Sequence, residues 1–543
     1  MKRLLWVVLC VTGCAGVSGG SGAGRPFVSA GREDRVVIPA MNLVQGVAVT
    51  PRYVFAATSG ALGVFDRGFE RWLPPVTRRD GWPGGPLQLF VGDPNDDVVW
   101  FATATGLYRY RAVLDDMART SLADQPRQIF FDRGDPGAGA FVVGAQRVWR
   151  VSASGMAQVA TARDIPPANR RFTPPNLNDI YARWPSLRDF ERLLTQDADL
   201  RSYPVTSGAV APERSEVWLG TAGAGLVKVD PLFTRGEARP YGLIEPGASA
   251  IAATIDGVWI GGSGDRISAR SGLTFVDPEL ASFRWLDGGA FAPLRGARIT
   301  AIAPWASSLW VGSERGLTRF DVATGRAERT LTEVDGLASG IVLSIAPRFD
   351  GAWIGTARGL SFVADSQVGN QLFEVRAPLL EGTPVRALVR RGDTLWIGTE
   401  NGVAVLPAGQ DTPRRLRSAE EQLRLAQPVA ALAIADTVLA MGTTRGELIL
   451  LSTRDGRELP PVLADVRRTG GMAAIAMDAT TIWIAGPRGV QLITRSTGLA
   501  RFLPAGIDVP GDATGIALTR DYAWIATLDG VIRLRRLPDG TIR

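Results

Sequence analysis

Short apolar runs alternate with turns rich in glycine, proline and acidic residues along almost the whole chain. In Ser308–Asp321, "SLWVGSERGLTRFD", the segment "LWVGS" alternates along its length and is rich in β-formers, which predicts a strand. "SERG" predicts a turn in which Gly316 takes a positive φ, and "LTRF" predicts the returning strand of a hairpin. "RITAIAP" upstream predicts another strand, and a weaker fourth follows before the next acidic turn.

The same phrase returns as "GAWIGTARGLSFVA" and "TLWIGTENGVAVLP", at intervals of about 43 residues. Trp100, Trp310, Trp353, Trp396, Trp483 and Trp524 each have a glycine six positions on: Gly106, Gly316, Gly359, Gly402, Gly489 and Gly530. Ala440 with Gly446 keeps the frame without the aromatic, Trp218 reaches Gly225 with one inserted residue, and Trp259, Phe55 and Phe141 head looser copies. The eleven copies are spaced about 41 to 51 residues apart, with one gap of about 77. Four antiparallel strands per repeat of this length make one β-propeller blade. The repeated tryptophans (Trp100, Trp218, Trp259, Trp310, Trp353, Trp396, Trp483 and Trp524) are therefore expected to fill the space between neighbouring sheets. The small residue two positions on lets the next sheet approach.

The fold expected is all-β, with eleven four-stranded blades. Eleven exceeds the usual ring size of four to eight, so two propellers sharing the chain are expected, with one very large ring as the alternative. The last copy supplies only three strands. "DRVVIP" near the N-terminus is a lone strand suited to complete it and hide its edge. The domain reading is 1–14 leader, 15–24 tether, 25–151 closing strand and blades 1–3, 152–206 insertion, and 207–543 blades 4–11. The insertion holds the basic stretch "PPANRRFTPP" and then "WPSLRDFERLLTQ". The latter predicts a short amphipathic helix with Pro185 near its start, a Ser186–Asp189 capping box, and Leu187, Phe190, Leu193 and Leu194 on one face. The insertion could be a packed helix, a crossover between rings, a lid or a docking element.

"LWVGSERGLTRFD", followed by "TEVDGLASGIVLSIAPRFDGAWIGT", resembles the two-component regulator propeller repeat, with its W-x-G-T-x-x-G-L phrase and acidic "DGL" turn. The similarity extends from about Arg298 to Leu534 and is looser before; "GDPNDDVVWFATATGLYRY" is also similar to sialidase-like and sortilin-like blades. The resemblance implies a recognition propeller of the sensor-ectodomain kind. With no histidine there is no phosphoacceptor, so it does not imply signalling by this chain.

The leader refines the picture. "MKR" then "LLWVVLCV" reads as an export signal, and "VTGC" is similar to a bacterial lipobox, which implies lipidation of Cys14. Ala15 after it implies the outer membrane, and "AGVSGGSGAG" has the composition of a flexible tether. The expected location is an outer-membrane lipoprotein facing the periplasm or the cell surface. Both cysteines lie in this leader, so no disulfide is expected. The formal charge is +6, but the only lysines are Lys2 and Lys228, and the arginine excess fits a GC-rich genome better than a polyanion partner. Nucleic acid is not an expected partner.

The absence of histidine removes Ser-His-Asp triads, histidine metal sites and imidazole acid–base chemistry. The adjacent pairs Asp96/Asp97 and Glu420/Glu421 read as solvated turn residues, and "GDPNDD" lacks the pattern of a calcium loop. Neither a cofactor nor a metal is expected. Arg315, Arg358, Arg445 and Arg488 precede the turn glycine at one offset, interrupted by Asn401 and Asp529. Equivalent turns share one face of a propeller, so these form a candidate anion-binding face. The function expected is a non-catalytic, lipid-anchored envelope propeller that binds a protein complex or a glycan. The alternative is a carboxylate-dependent glycosidase or polysaccharide lyase.

Overall fold

The computed structural model describes residues 34–131, 139–152, 155–167, 176–197, 200–211, 216–264, 270–288, 294–305, 307–365, 373–416, 425–462 and 465–542. Along them eleven antiparallel sheets follow one another, ten with four strands and the ninth with three. The chain is a multi-blade β-propeller.

Blade 6 shows how the repeated phrase builds a blade. Its strands are Ile299–Trp305, Ser308–Ser313, Gly316–Asp321 and Ala327–Leu331. Trp310 stands between Ala303 on the innermost strand and Arg319 on the third. The Arg319 guanidinium lies 5.8 Å from the indole. Alanine takes the position opposite tryptophan in most blades, as Ala209, Ala252, Ala303, Ala346, Ala476 and Ala517. A methyl group there leaves the indole room over the strand. Two residues on, Gly312 touches the next blade: a Cβ would lie 2.5 Å from Val342. Gly355 and Gly398 stand in the same relation to Val385 and Val429. The turn glycine Gly316 has φ 132° and Gly359 148°, a region that side chains rarely enter.

One hydrogen bond reads out which blade follows which. In blades 4, 5, 6 and 11 the residue that bulges just inside the innermost strand donates its hydroxyl to the entry carbonyl of the next blade. Ser249 Oγ reaches the Ile299 carbonyl at 2.6 Å, and Thr300 Oγ1 that of Val342 at 2.6 Å. Thr514 of blade 11 makes the same bond at 2.7 Å to Ala248 of blade 5, and Thr206 of blade 4 at 2.6 Å to Val44, at the entry of blade 1. Innermost-strand packing agrees: blade 11 packs on blade 5, and blade 4 on blade 1. Blades 5 to 11 therefore form a closed ring of seven, and blades 1 to 4 a separate group of four. The strand Arg35–Ile38 completes blade 11, pairing antiparallel with Gly530–Arg535 from Arg35↔Leu534 to Ile38↔Val531. From Arg35 the path thus starts in the larger ring, builds the smaller group, and returns.

The return falls at 240–247, after blade 4, and not at the long gap, where a crossover between rings was one of the readings. The gap segment instead fills the space between blades 3 and 4. Helices α1 (Leu177–Arg183), α2 (Pro185–Asp189) and α3 (Glu191–Leu194) bury Ile180, Leu187 and Leu194 against Val217, Leu219 and Val227 of blade 4. Ile165 covers Phe130 and Phe141 of blade 3. Phe190 and Leu193, expected on the buried face, are 48% and 63% exposed. The helix breaks at Phe190, so a 3.6-residue period does not carry across it. The capping box is Asn176–Asp179, not Ser186–Asp189; α2 has no side-chain cap. "PPANRRFTPP" lies mostly outside the described residues.

Blade 9 departs from the four-strand expectation. After Leu448–Ser452 the described residues form a single isolated bridge, Leu451↔Glu458. Pro460 and Pro461 follow, and prolines cannot donate to a ladder.

The two rings share one apolar cluster, which includes Val36, Ile38, Trp218, Leu243, Val258 and Trp524. An aromatic ladder crosses it. Trp218 packs on Phe65 at 5.3 Å, Phe65 on Trp72 at 5.3 Å, Trp72 stacks on Tyr241 at 4.8 Å, and Tyr241 meets Phe283 at 4.6 Å. The two linkers pair beside it, Ala40 bridging to Gly242 and Leu243, and Asn42 Nδ2 donating to the Ile244 carbonyl. A buried ionic cluster ties the insertion to blade 5. Arg270 Nε meets Asp287 at 2.9 Å, its Nη2 meets Asp197 at 3.3 Å, and Nη1 donates to the Gly223 carbonyl.

Candidate functional site

In blades 6 and 7 the turn between the second and third strands is built by a hydroxyl at the strand end. Thr356 Oγ1 donates to the Gly359 carbonyl and accepts from the Arg358 N–H; Ser313 does the same with Gly316 and Arg315. That geometry holds the residue before the glycine outward. Arg315, Arg358, Arg445 and Arg488 are all exposed there. Strand direction alternates within a blade, so these turns and the blade-to-blade connections lie on one face of the seven-bladed ring. The four occupy blades 6, 7, 9 and 10, with Asn401 between them in blade 8, and so form an arc.

Arg315 Nη1 donates to the Arg295 carbonyl at 2.8 Å. Among the described residues no carboxylate lies within ion-pair distance of any of the four guanidiniums. Exposed Arg295, Arg298, Arg467 and Arg468 stand in connections on the same face, and exposed Glu314 and Glu400 stand in the turns themselves. The arc is thus a set of guanidiniums without a carboxylate partner among the described residues, in a mixed surround, able to take carboxylate or phosphate oxygens in pairs.

The blade tryptophans are core. Trp218, Trp310, Trp483 and Trp524 are 0% exposed, Trp259 1%, Trp100 2% and Trp396 4%. Trp353 is half-buried against Phe362.

Asp97 is not a solvated turn residue. Its Oδ1 accepts from Thr50 Oγ1 at 3.0 Å and the Arg52 N–H at 2.9 Å, tying blade 2 to blade 1. Burial pushes the nearby Asp93 carboxyl up to about 6. Glu420, Glu421 and Cys14 lie outside the described residues. Among the described residues no group of three or more His, Cys, Asp or Glu could hold a metal, and no helix is long and apolar enough to cross a membrane.

One feature the sequence did not reveal is a cavity of about 780 Å³ on the axis of the four-bladed group. Gln45, Gln88 and Arg127 line it from the bulge register that Thr206 and Thr300 occupy elsewhere. The signal was the long polar residue at that register in three successive blades.

No protein-family model and no curated protein matches the chain. Solved structures do resemble it. One is PorZ, a bacterial surface component of the type-IX secretion system of Porphyromonas gingivalis (11% identity over 93% of this chain and 87% of that one, TM-score 0.49). Another is the extracellular domain of a putative hybrid two-component system from B. thetaiotaomicron (13% identity, 90% and 69%, TM-score 0.43). A third is the computationally designed Ika8 protein (15% identity, 62% and 96%, TM-score 0.39). At these identities they are likenesses of fold, and the resemblance to the two-component regulator repeat rests on the blade phrase itself.

Proposed function

We propose that this protein is a non-catalytic propeller of the cell envelope, anchored through Cys14, that recognises an envelope protein complex or a glycan on the arginine-bearing face of its seven-bladed ring. The observation that carries the reading is the arc of Arg315, Arg358, Arg445 and Arg488, exposed on one face and without a carboxylate partner among the described residues. Exposed charge contacts are individually weak and screened by salt. Four in register act together, and the rigid ring holds their spacing.

The test is a pull-down from detergent-solubilised envelope with wild type and a variant carrying Gln at all four positions. The variant keeps its fold, because the turns are held by Ser313, Thr356 and backbone bonds and not by the guanidiniums. Loss of the partner from the variant, and salt-sensitive capture by wild type, support the reading. Equal capture by both proteins would reduce the arginines to turn residues.

A further inference from the structure

We infer that the axial cavity of the four-bladed group is a second and separate binding site, for a short acidic sugar whose carboxylate meets Arg127 and whose hydroxyls meet Gln45 and Gln88. The inference starts from one register. In the seven-bladed ring, blades 7, 8, 9 and 10 carry Leu343, Arg386, Ala430 and Ala473 at this register, whereas Ser249, Thr300 and Thr514 stand there in the other blades and each donates to the next blade. In the four-bladed group only Thr206 does so. Gln45, Gln88 and Arg127 hold the same register in blades 1, 2 and 3. All three are exposed, line the cavity, and have no side-chain hydrogen bond among the described residues.

The cavity exists because the ring is propped open. Helices α1 to α3 and Ile165 stand where blade 3 would otherwise meet blade 4. The space left, about 780 Å³, is within the ordinary range for small-ligand sites of about 300–1,000 Å³. At the next register stand the apolar Val47, Phe90 and Ile129, and the rest of the wall is mixed, with Gln128, Asn176 and Ser207 among its polar residues.

The chemistry of the lining selects the ligand class. Primary amides both donate and accept, which suits hydroxyl groups that do the same. The half-buried Phe90 ring and the aliphatic Val47 and Ile129 suit the C–H faces of a pyranose. Arg127 is the only charged side chain lining the cavity among the described residues; no aspartate or glutamate does so. The site can therefore pair one carboxylate and has nothing to receive an ammonium group, which disfavours amino acids and basic peptides.

The test uses the full chain, titrated calorimetrically with digalacturonic acid and with galactobiose, its neutral counterpart. Wild type should bind the acidic probe about tenfold more tightly, since a charge-assisted hydrogen bond is worth about 1.5 kcal/mol or more and tenfold is about 1.4. Arg127→Gln should reduce that preference to about twofold or less, and Gln88→Ala should weaken both probes. The fourfold arginine variant of the other ring should bind the acidic probe as wild type does. This separates the inference from the envelope-partner reading. No saturable binding by wild type, equal binding by Arg127→Gln, or loss in the fourfold variant would overturn it. Tighter binding of a tetraglutamate peptide than of digalacturonate would overturn the sugar assignment.

Discussion

The hydroxyl of Thr514 donates to the carbonyl of Ala248 at 2.7 Å, joining residues 266 positions apart and closing a ring of seven blades. Thr206 makes the equivalent bond to Val44 at 2.6 Å in the smaller group. Valine keeps the shape of threonine and removes only the donor. Thr514→Val and Thr206→Val should each cost about 0.5–1.5 kcal/mol, and more if the freed carbonyl stays dry. The bonds share no partner, so the double variant should be additive in denaturant melts. Strong coupling between them would contradict the assignment to two rings.

Val36 and Ile38 of the closing strand are 2% and 0% exposed. Deleting residues 25–40 should expose the edge of Gly530–Arg535 and remove at least about 3 kcal/mol of buried apolar surface. A clear fall in melting temperature, with aggregation, is the expected outcome. Unchanged melting and solubility would place the strand outside the ring.

Arg270→Met should remove the cation that meets both Asp197 and Asp287, although Arg201 still reaches Asp287 at 2.9 Å. The expected loss is about 3 kcal/mol, the lower end for breaking a buried pair. Limited proteolysis should show faster cleavage within 176–203, because this cluster ties the insertion to blade 5.

Asp93 titrates at about 6 in the folded protein, above its ordinary value of 3.8, because burial disfavours the carboxylate. The folded state therefore binds the proton more tightly than the unfolded one. Stability from this group is fully present below about 3.8 and is lost as pH rises through about 6. Asp93→Asn should raise the melting temperature above pH 6, and the difference from wild type should shrink to nothing near pH 4. A constant difference across that window would remove Asp93 as its cause.

Cys14 should carry the lipid. A fatty-acid analogue should label wild type and not Cys14→Ala, and the variant should leave the membrane fraction. A soluble wild type with a free N-terminus well past residue 14 would show a plain secretory signal instead.

The repeat was legible because each blade is a local object. Trp310, Gly312 and Gly316 lie within seven residues, and each does a job set by its immediate neighbours: filling the inter-sheet space, admitting the next sheet, and taking the positive φ of the turn. The closing strand was legible because the last copy lacked one strand and the chain start held a spare. The single-file residues before the turn glycines were legible as sharing a face, since strand alternation follows from local geometry.

Ring membership was not legible, because the blades present nearly interchangeable faces. Gly312 admits Val342, the next blade in sequence, and Gly220 of blade 4 admits Val44 and Val47 of blade 1 by the same contact. A glycine opposite a valine says that some blade follows, not which. That choice was made by the linkers 39–45 and 240–247, which pair with each other and, through Tyr241, join the aromatic ladder that crosses between the rings. Likewise Phe190 and Leu193 read as buried from their spacing, yet the break at Phe190 turned them outward, and Asp97 read as solvated although Thr50 and Arg52 of another blade were waiting for it. The sequence by itself determined the blades, their turns and their closing strand, since short-range sterics and alternation decide those. Tertiary structure alone decided the division into seven and four and the cavity propped open by α1 to α3, since both depend on contacts between residues far apart in the chain.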